Sequence, residues 1–557
     1  MRVGALLVLV FALLADGASA YVLAEVCPDT WIPGDDDEFF VLEGTAPLGS
    51  VSVTDGEGTA RFPPGAAGDG RVVVALNGSA YALVHGELPD FELLPSSPAP
   101  EMLREGELRL GNRGDGLTVL VGGRVTDWVE WPGDVVMRRG QVHYREEGRW
   151  DPRVLMIGQS RFDPLTATNV SGTVFLSPDC GSGVLADLVA RASGSVLLGV
   201  YELTDPVLAD ALVSARDRGV SVTVLAQGSP VGGIPSGEWA VLPRLLEAGA
   251  GVYFMSTRGT AHARYRHLHG KYLVVDGRWT LVTTENWKPA GFPPAGRRGN
   301  RGWGVLLDDP RIAGYFSAVF ADDLEGRDVG PVGTLLPGGI ETPDEGAYAP
   351  RSTPAPFSGA TVTTVLAPDT ADEIAALIRG AERSIAIEQA YIANESGDRL
   401  QRYLSEAVEA ARRGVEVRIL LDSAWFNTED EADNDEQAAL INRIAAAEGL
   451  PLEARLLDLD AHGLVKVHTK GVVVDRRRVL VSSINWNEAS PSFNRETGVI
   501  IDEPGVGAYF ADAFDRDWAA GGGVPAPVRG VDWFRIAVAA LVIVGMALGV
   551  RRKKNGR

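Results

Sequence analysis

Apolar and polar positions change rhythm at about residue 165. Downstream, SVLLGVYEL (195–203) reads as a buried strand and DPVLADALVSARDRG (205–219) as an amphipathic helix closed by Gly219. VSVTVLA (220–226) is the next strand. Strands alternating with helices predict a parallel or mixed sheet covered by helices. Upstream, short runs such as VSVT, RVVVAL, ELRLGN and LTVLVGG are separated by Gly, Asp and Pro turns, with no long amphipathic helix pattern. That pattern predicts a β-sandwich over 21–150.

The α/β pattern occurs twice. FLSPDCGSGVLADLVARASGSVLLGVYEL (Phe175–Leu203) matches VLAPDTADEIAALIRGAERSIAIEQAYI (Val365–Ile392), and NRGWGV (Asn300–Val305) matches NRETGV (Asn494–Val499). The offsets stay between 190 and 199 residues. Two pseudo-symmetric lobes are expected, over 165–325 and 361–520, joined by a Pro/Gly-rich linker over 326–360.

Both termini carry apolar runs. MRVGALLVLVFALLADGASA, residues 1–20, has the basic start, apolar middle and Ala-Ser-Ala end of a signal peptide. After a second tether over 521–532, residues 533–550 form an apolar run of 18 residues, followed by a basic tail over 551–557. As a helix this run is about 27 Å long, near the minimum for a bilayer. The expectation is an exported, single-pass protein with its body outside and its tail in the cytoplasm. Its two cysteines, Cys27 and Cys180, permit one intramolecular disulfide in an exported chain; two unpaired thiols are the alternative.

Charge sharpens the picture. The net charge is −22, which repels nucleic acid and anionic membrane unless unevenly placed. Between Ser256 and Gly302 it is uneven: Arg258, Arg264, Arg266, Lys271, Arg278, Lys288, Arg297, Arg298 and Arg301 face only Asp276 and Glu285. An anionic substrate and a solvated basic face are the two readings.

Each lobe also carries His-x-Lys-x4-Asp: His269, Lys271 and Asp276, then His468, Lys470 and Asp475. On a strand, residues i and i+2 share a face, so each histidine and lysine point the same way. An asparagine follows ten residues after each aspartate, Asn286 in TTENW and Asn485 in SSINW. These residue types fit phosphodiester cleavage. An imidazole can attack phosphorus, a second can serve as acid and base, and ammonium and carboxamide groups can hold the nonbridging oxygens. Neither motif has zinc or calcium spacing.

The paired motifs resemble the signature of the phospholipase D superfamily, with Thr283-Thr284 and Ser482-Ser483 in place of its Gly-Ser. The resemblance implies lobes packed face to face around one shared site. His269 would be the nucleophile, His468 the acid and base, and each aspartate a support for a histidine. The sequence leaves the swapped histidine roles open. Lys271, Lys470, Asn286 and Asn485 would bind the phosphate, and no cofactor is expected. Upstream, Val22–Gly44 and Leu108–Pro132 resemble the lamin-tail domain, an immunoglobulin-like module. Substrate readings are phospholipid, by hydrolysis or cardiolipin synthase-like transfer, or nucleic acid, by an extracellular nuclease. A non-catalytic surface protein is the third reading.

Overall fold

The computed structural model describes residues 20–519, apart from 69, 132–137, 147, 397–398 and 430–432. The two lobes are continuous with each other through a single sheet of fifteen strands. Its centre is the antiparallel pairing of Thr166–Ser177 with Ala355–Ala367, registered from Thr166 opposite Thr363 to Val174 opposite Ala355. Outward through lobe 1 the sheet runs 302–308, 279–283, 272–275, 195–200, 221–227 and 251–255. Through lobe 2 it runs 496–502, 478–482, 470–474, 384–389, 416–421 and 452–456. The halves mirror one another, except that Val329–Pro331 adds an edge strand to lobe 1.

Local chemistry explains the elements. The inner strands bury almost every side chain, as in YLVV (272–275) and KGVVV (470–474), because helices cover the sheet. Helices Pro206–Asp217 and Pro310–Glu325 begin with proline after aspartate. Asp205 and Asp309 each accept two backbone N–H groups of the first turn, closing donors that the helix cannot satisfy itself.

Each lobe also sends a buried arginine toward the other. Arg301 bonds Asp179 in its own lobe at 2.8 Å and Asp517 of lobe 2 at 2.7 Å. Arg495 of lobe 2 bonds Asp369 in its own lobe at 3.0 Å and Asp323 of lobe 1 at 2.9 Å, with the Tyr265 hydroxyl also in contact. A guanidinium stripped of water is tolerated only with its donors met.

The N-terminal region forms two sheets. One contains seven strands, among them 22–27, 39–43 and 71–77; the other contains five, with 115–121 paired to 124–131. A short helix, Gly78–His85, interrupts the strand pattern. The module leans on both lobes: Trp31 stacks on His262 at 3.9 Å, and Arg138 reaches Glu488 at 3.3 Å.

Several expectations are corrected. The expected signal peptide (1–20) and membrane helix (533–550) lie outside the described residues, save for Ala20. Among the described residues no helix is long and apolar enough to cross a membrane. The single-pass element of the fold class, and the cell-membrane placement drawn from it, are therefore withdrawn. Cys27 and Cys180 are free thiols. Cys27 packs in the N-terminal module and Cys180 against the lobe 1 core, so no bridge joins them. The stretch 326–360 is not a loose tether: it supplies the edge strand Val329–Pro331 and the start of the central strand Ala355–Ala367.

Arg495→Ala would leave Asp323 and Asp369 buried without their counter-charge. It is expected to lower unfolding free energy by about 3–5 kcal/mol, read from denaturant midpoints against the parent.

Candidate active site

The two histidines meet where the lobes interlock. His269 follows an isolated parallel bridge between Leu268 and Arg495, and its N–H donates to the Arg495 carbonyl at 2.8 Å. His468 follows the matching bridge between Val467 and Arg301, and its N–H donates to the Arg301 carbonyl at 2.9 Å. Each imidazole is thus fixed by backbone of the opposite lobe. Both side chains are nearly buried, at 12% and 14% exposure.

Their partners are also crossed. His269 Nδ1 lies 2.7 Å from Oε2 of Glu496, a lobe 2 residue. His468 Nδ1 lies 3.5 Å from Oε2 of Glu285, a lobe 1 residue. Two asparagines orient the carboxylates: Asn494 donates to Glu496 at 3.0 Å and Asn300 to Glu285 at 2.9 Å. Lys271 and Lys470 are wholly buried beneath the histidines. Lys470 Nζ donates to the His468 carbonyl at 2.7 Å, and Lys271 Nζ makes the equivalent bond to the His269 carbonyl.

Burial shapes the protonation states. It drives His269 down to about 4, helped by Lys271 and opposed by Glu496. His468 is pushed well below its ordinary value by burial and then by the ammonium groups of Lys470, Lys466 and Lys271. Burial raises Glu496, but His269 and Lys271 outweigh it and hold the carboxyl below its usual range. Glu285, by contrast, is pushed up to about 7 by burial, against the pull of Asn300 and the lysines. Lys271 falls to about 8, chiefly through burial. Burial and then Lys271 depress Lys470 well below the ordinary lysine value.

Asp276 and Asp475 do not join the site. Each ends its strand in the left-handed region, at φ 52° and 54°. The Asp276 carboxylate accepts the N–H groups of Ser193, Gly194 and Ser195, and Asp475 those of Glu382, Arg383 and Ser384. The expected support of a histidine by each aspartate is therefore corrected: the x4 spacing carries it to the far end of a strand, where it closes a turn.

The hydroxyls that replace Gly-Ser serve the sheet. Thr284 Oγ1 accepts the Trp303 N–H at 3.0 Å and Ser483 Oγ the Thr497 N–H at 2.9 Å. Asn286 and Asn485 lie just beyond, each with its carboxamide oxygen buried and unpartnered.

Four of the nine cations of the basic stretch are closely paired with acids. Arg264 meets Asp328, Arg278 meets Asp308, Lys288 meets Glu202, and Arg301 is the buried lobe clasp. Of the other histidines, His262 stacks on Trp31 and His462 is buried beside Asp517. His267 comes to the cleft, its ring 5.9 Å from that of Tyr201.

Sequence reasoning missed Glu496, Tyr201 and Lys466, and counted Glu285 only as a charge. Tyr201 places its ring 4.8 Å from that of His269 and 5.5 Å from Lys271 Nζ. The two glutamates are not repeat equivalents: Glu285 matches Ile484, and Glu496 matches Gly302. Gly302 has a reason to lack a side chain, since a Cβ there would lie 2.4 Å from Glu285 Cγ. The signal was therefore a break in the repeat, a charge appearing on one side where the other has none.

A family described as cardiolipin synthase, PLD-like domain, matches residues 185–324 and 374–518, about half of the chain. The N-terminal module lies outside that match, so its resemblance to the lamin-tail domain stays with its sequence motifs. No protein of curated function matches the sequence. Among solved structures, phosphatidylserine synthase of Haemophilus influenzae Rd KW20 is similar at 13% identity and a TM-score of 0.48, over 68% of this chain and 94% of its own. Nuc of Salmonella typhimurium, a phospholipase D family member, is similar at 24% identity and a TM-score of 0.24, over 30% of this chain and 99% of its own. NucT of Helicobacter pylori gives 16% and 0.24, over 29% and 99%.

Burial of Glu285 links stability to pH. Its folded pKa of about 7 exceeds the ordinary 4.5, so its contribution is fully present below about pH 4.5 and is lost as pH rises through 7. The parent should therefore lose about 3 kcal/mol relative to Glu285→Gln between those limits, measured as the difference in unfolding free energy across pH.

Proposed function

The chain belongs to the cardiolipin synthase, PLD-like domain family of the phospholipase D superfamily, and from that premise we propose that it hydrolyses or transfers phosphatidyl groups without a metal, through a phosphohistidine. The carrying observation is the crossed pair of imidazole–carboxylate contacts, one from each lobe, above two buried ammonium groups.

The roles follow from the asymmetry. His269 is held by an ionised Glu496 at 2.7 Å. With the Nδ1 proton in that bond, Nε2 keeps a lone pair for attack on phosphorus. His468 sits against the weaker, longer contact with Glu285. Burial and the neighbouring lysines hold His468 neutral, and a phosphodiester anion offsets those ammonium groups and lets it take a proton. Attack by Nε2 forms the P–N bond as the P–O bond to the leaving alcohol breaks, and His468 protonates that oxygen. Water or a second alcohol then gives its proton to His468 and attacks phosphorus, and the P–N bond breaks. Lys271, Lys470, Asn286 and Asn485 are assigned to the nonbridging oxygens. The lysines suit the role because they lie buried beneath the histidines, where each ammonium is worth most.

Phosphatidyl groups are preferred to nucleic acid on charge. Affinity for nucleic acid rests on many lysines and arginines free to meet phosphates. Here the net charge is −22, and four of the nine cations of the basic stretch are already closely paired with acids of the chain.

The test offers phospholipid, single-stranded DNA and duplex DNA to the full chain with a chelator present. Phospholipid turnover should persist, and His269→Ala or His468→Ala should each reduce it by about 10³-fold or more. Turnover that survives both substitutions contradicts the assignment, and DNA cleavage without lipid turnover transfers the site to a nuclease.

A further inference from the structure

The cleft has an apolar lip. After strand 416–421, Asp422 fixes the turn by accepting the Val467 N–H at 2.6 Å and the Asn427 carboxamide at 2.8 Å. That turn holds Trp425 and Phe426, 68% and 49% exposed. Lys466 bridges them to the chemistry. Its ammonium lies 5.9 Å from the Phe426 ring centre, and its charge acts on His468 and on both buried lysines.

Lobe 1 repeats the arrangement. Gln227, at the end of strand 221–227, accepts the Leu268 N–H at 2.7 Å. Val231, 78% exposed, donates its N–H at 2.8 Å to the Tyr201 hydroxyl, whose ring packs on His269. Each lobe thus suspends an exposed apolar loop from the residue that precedes its histidine. Solvent-facing Trp and Phe beside a cleft mark a contact surface rather than ordinary scatter. A groove of about 640 Å³ extends behind the aromatic pair, lined by Leu456, Leu457, Leu459, Leu464 and Val465.

Charge and order identify the occupant. The groove lining carries two carboxylates, Asp458 and Asp460, against one cation, Arg298, which lies 3.7 Å from Asp460, a balance that does not favour a polyanionic strand. From inside outward the sequence is ammonium (Lys466), half-exposed ring (Phe426) and exposed indole (Trp425). That is the order in which a phospholipid presents phosphate, ester region and acyl chain, and indoles favour that boundary.

We infer that Val231, Trp425 and Phe426 form a lip that docks peripherally on a lipid surface and brings the headgroup phosphate to the histidines. This rests on the phosphatidyl reading of the site.

The test compares the parent, Trp425→Phe and the double variant Trp425→Asp with Val231→Asp, each as the full chain. Substrates are zwitterionic phospholipid vesicles and a monomeric short-chain phospholipid. The double variant should lose about tenfold or more on vesicles yet stay within about twofold on the monomer, while Trp425→Phe stays within about twofold on both. Bromine-labelled acyl chains should quench parent tryptophan emission more than that of Trp425→Phe. Unchanged vesicle turnover in the double variant overturns docking, and so does equal loss on both substrates. If the parent turns over neither lipid, the phosphatidyl reading fails on its own. Quenching then still decides the lip: equal quenching in parent and Trp425→Phe overturns it, and an excess in the parent supports it.

Discussion

Everything at this site depends on how the lobes are clasped. The segment that buries Arg495 also offers its carbonyl to His269 and then supplies Glu496; the segment that buries Arg301 offers its carbonyl to His468. Docking and chemistry are written in the same few residues. A lobe alone would keep its histidine and lysine but lose the backbone acceptor and the carboxylate that orient the ring. The buried guanidinium groups enforce this, because parting the lobes would take Arg301 from Asp517 and Arg495 from Asp323, leaving each of those carboxylates without that counter-charge.

The near-symmetry makes the asymmetry informative. Two lobes with matched strands and matched His-x-Lys pairs deliver their carboxylates from unmatched positions: Glu285 before Asn286, and Glu496 after Arg495. The consequence is one short and one long contact, one acid held ionised and one pushed up to about 7. A mechanism that needs one imidazole as nucleophile and another as proton donor requires such unlike environments, and a strictly symmetric pair would not provide them.

Much of this was legible in the sequence. Apolar runs bounded by Gly and Pro gave the strands, an amphipathic run closed by Gly219 gave a helix, and the repeat gave two lobes. The His-x-Lys pairs placed the reactive groups because a strand's period of two leaves little freedom. What stayed hidden depends on packing across the pseudo-two-fold. Glu496 is 227 residues from its histidine, and no local pattern connects them. The aspartates misled because spacing fixes where a residue lies along a strand, not which end of that strand faces the cleft. For the basic stretch, a count of charges did not show that four of its nine cations are already closely paired. Of the two readings open for the cysteines, the unpaired thiols hold, because Cys27 and Cys180 lie in different cores.

The claim that two lobes build one site is open to a direct count. The full chain, quenched in alkaline denaturant during turnover of a substrate labelled at phosphorus, should carry at most one acid-labile phosphoramidate per chain. Peptide mass spectrometry should place it on His269. Two per chain, one on each motif histidine, would mean two independent sites and would contradict the account.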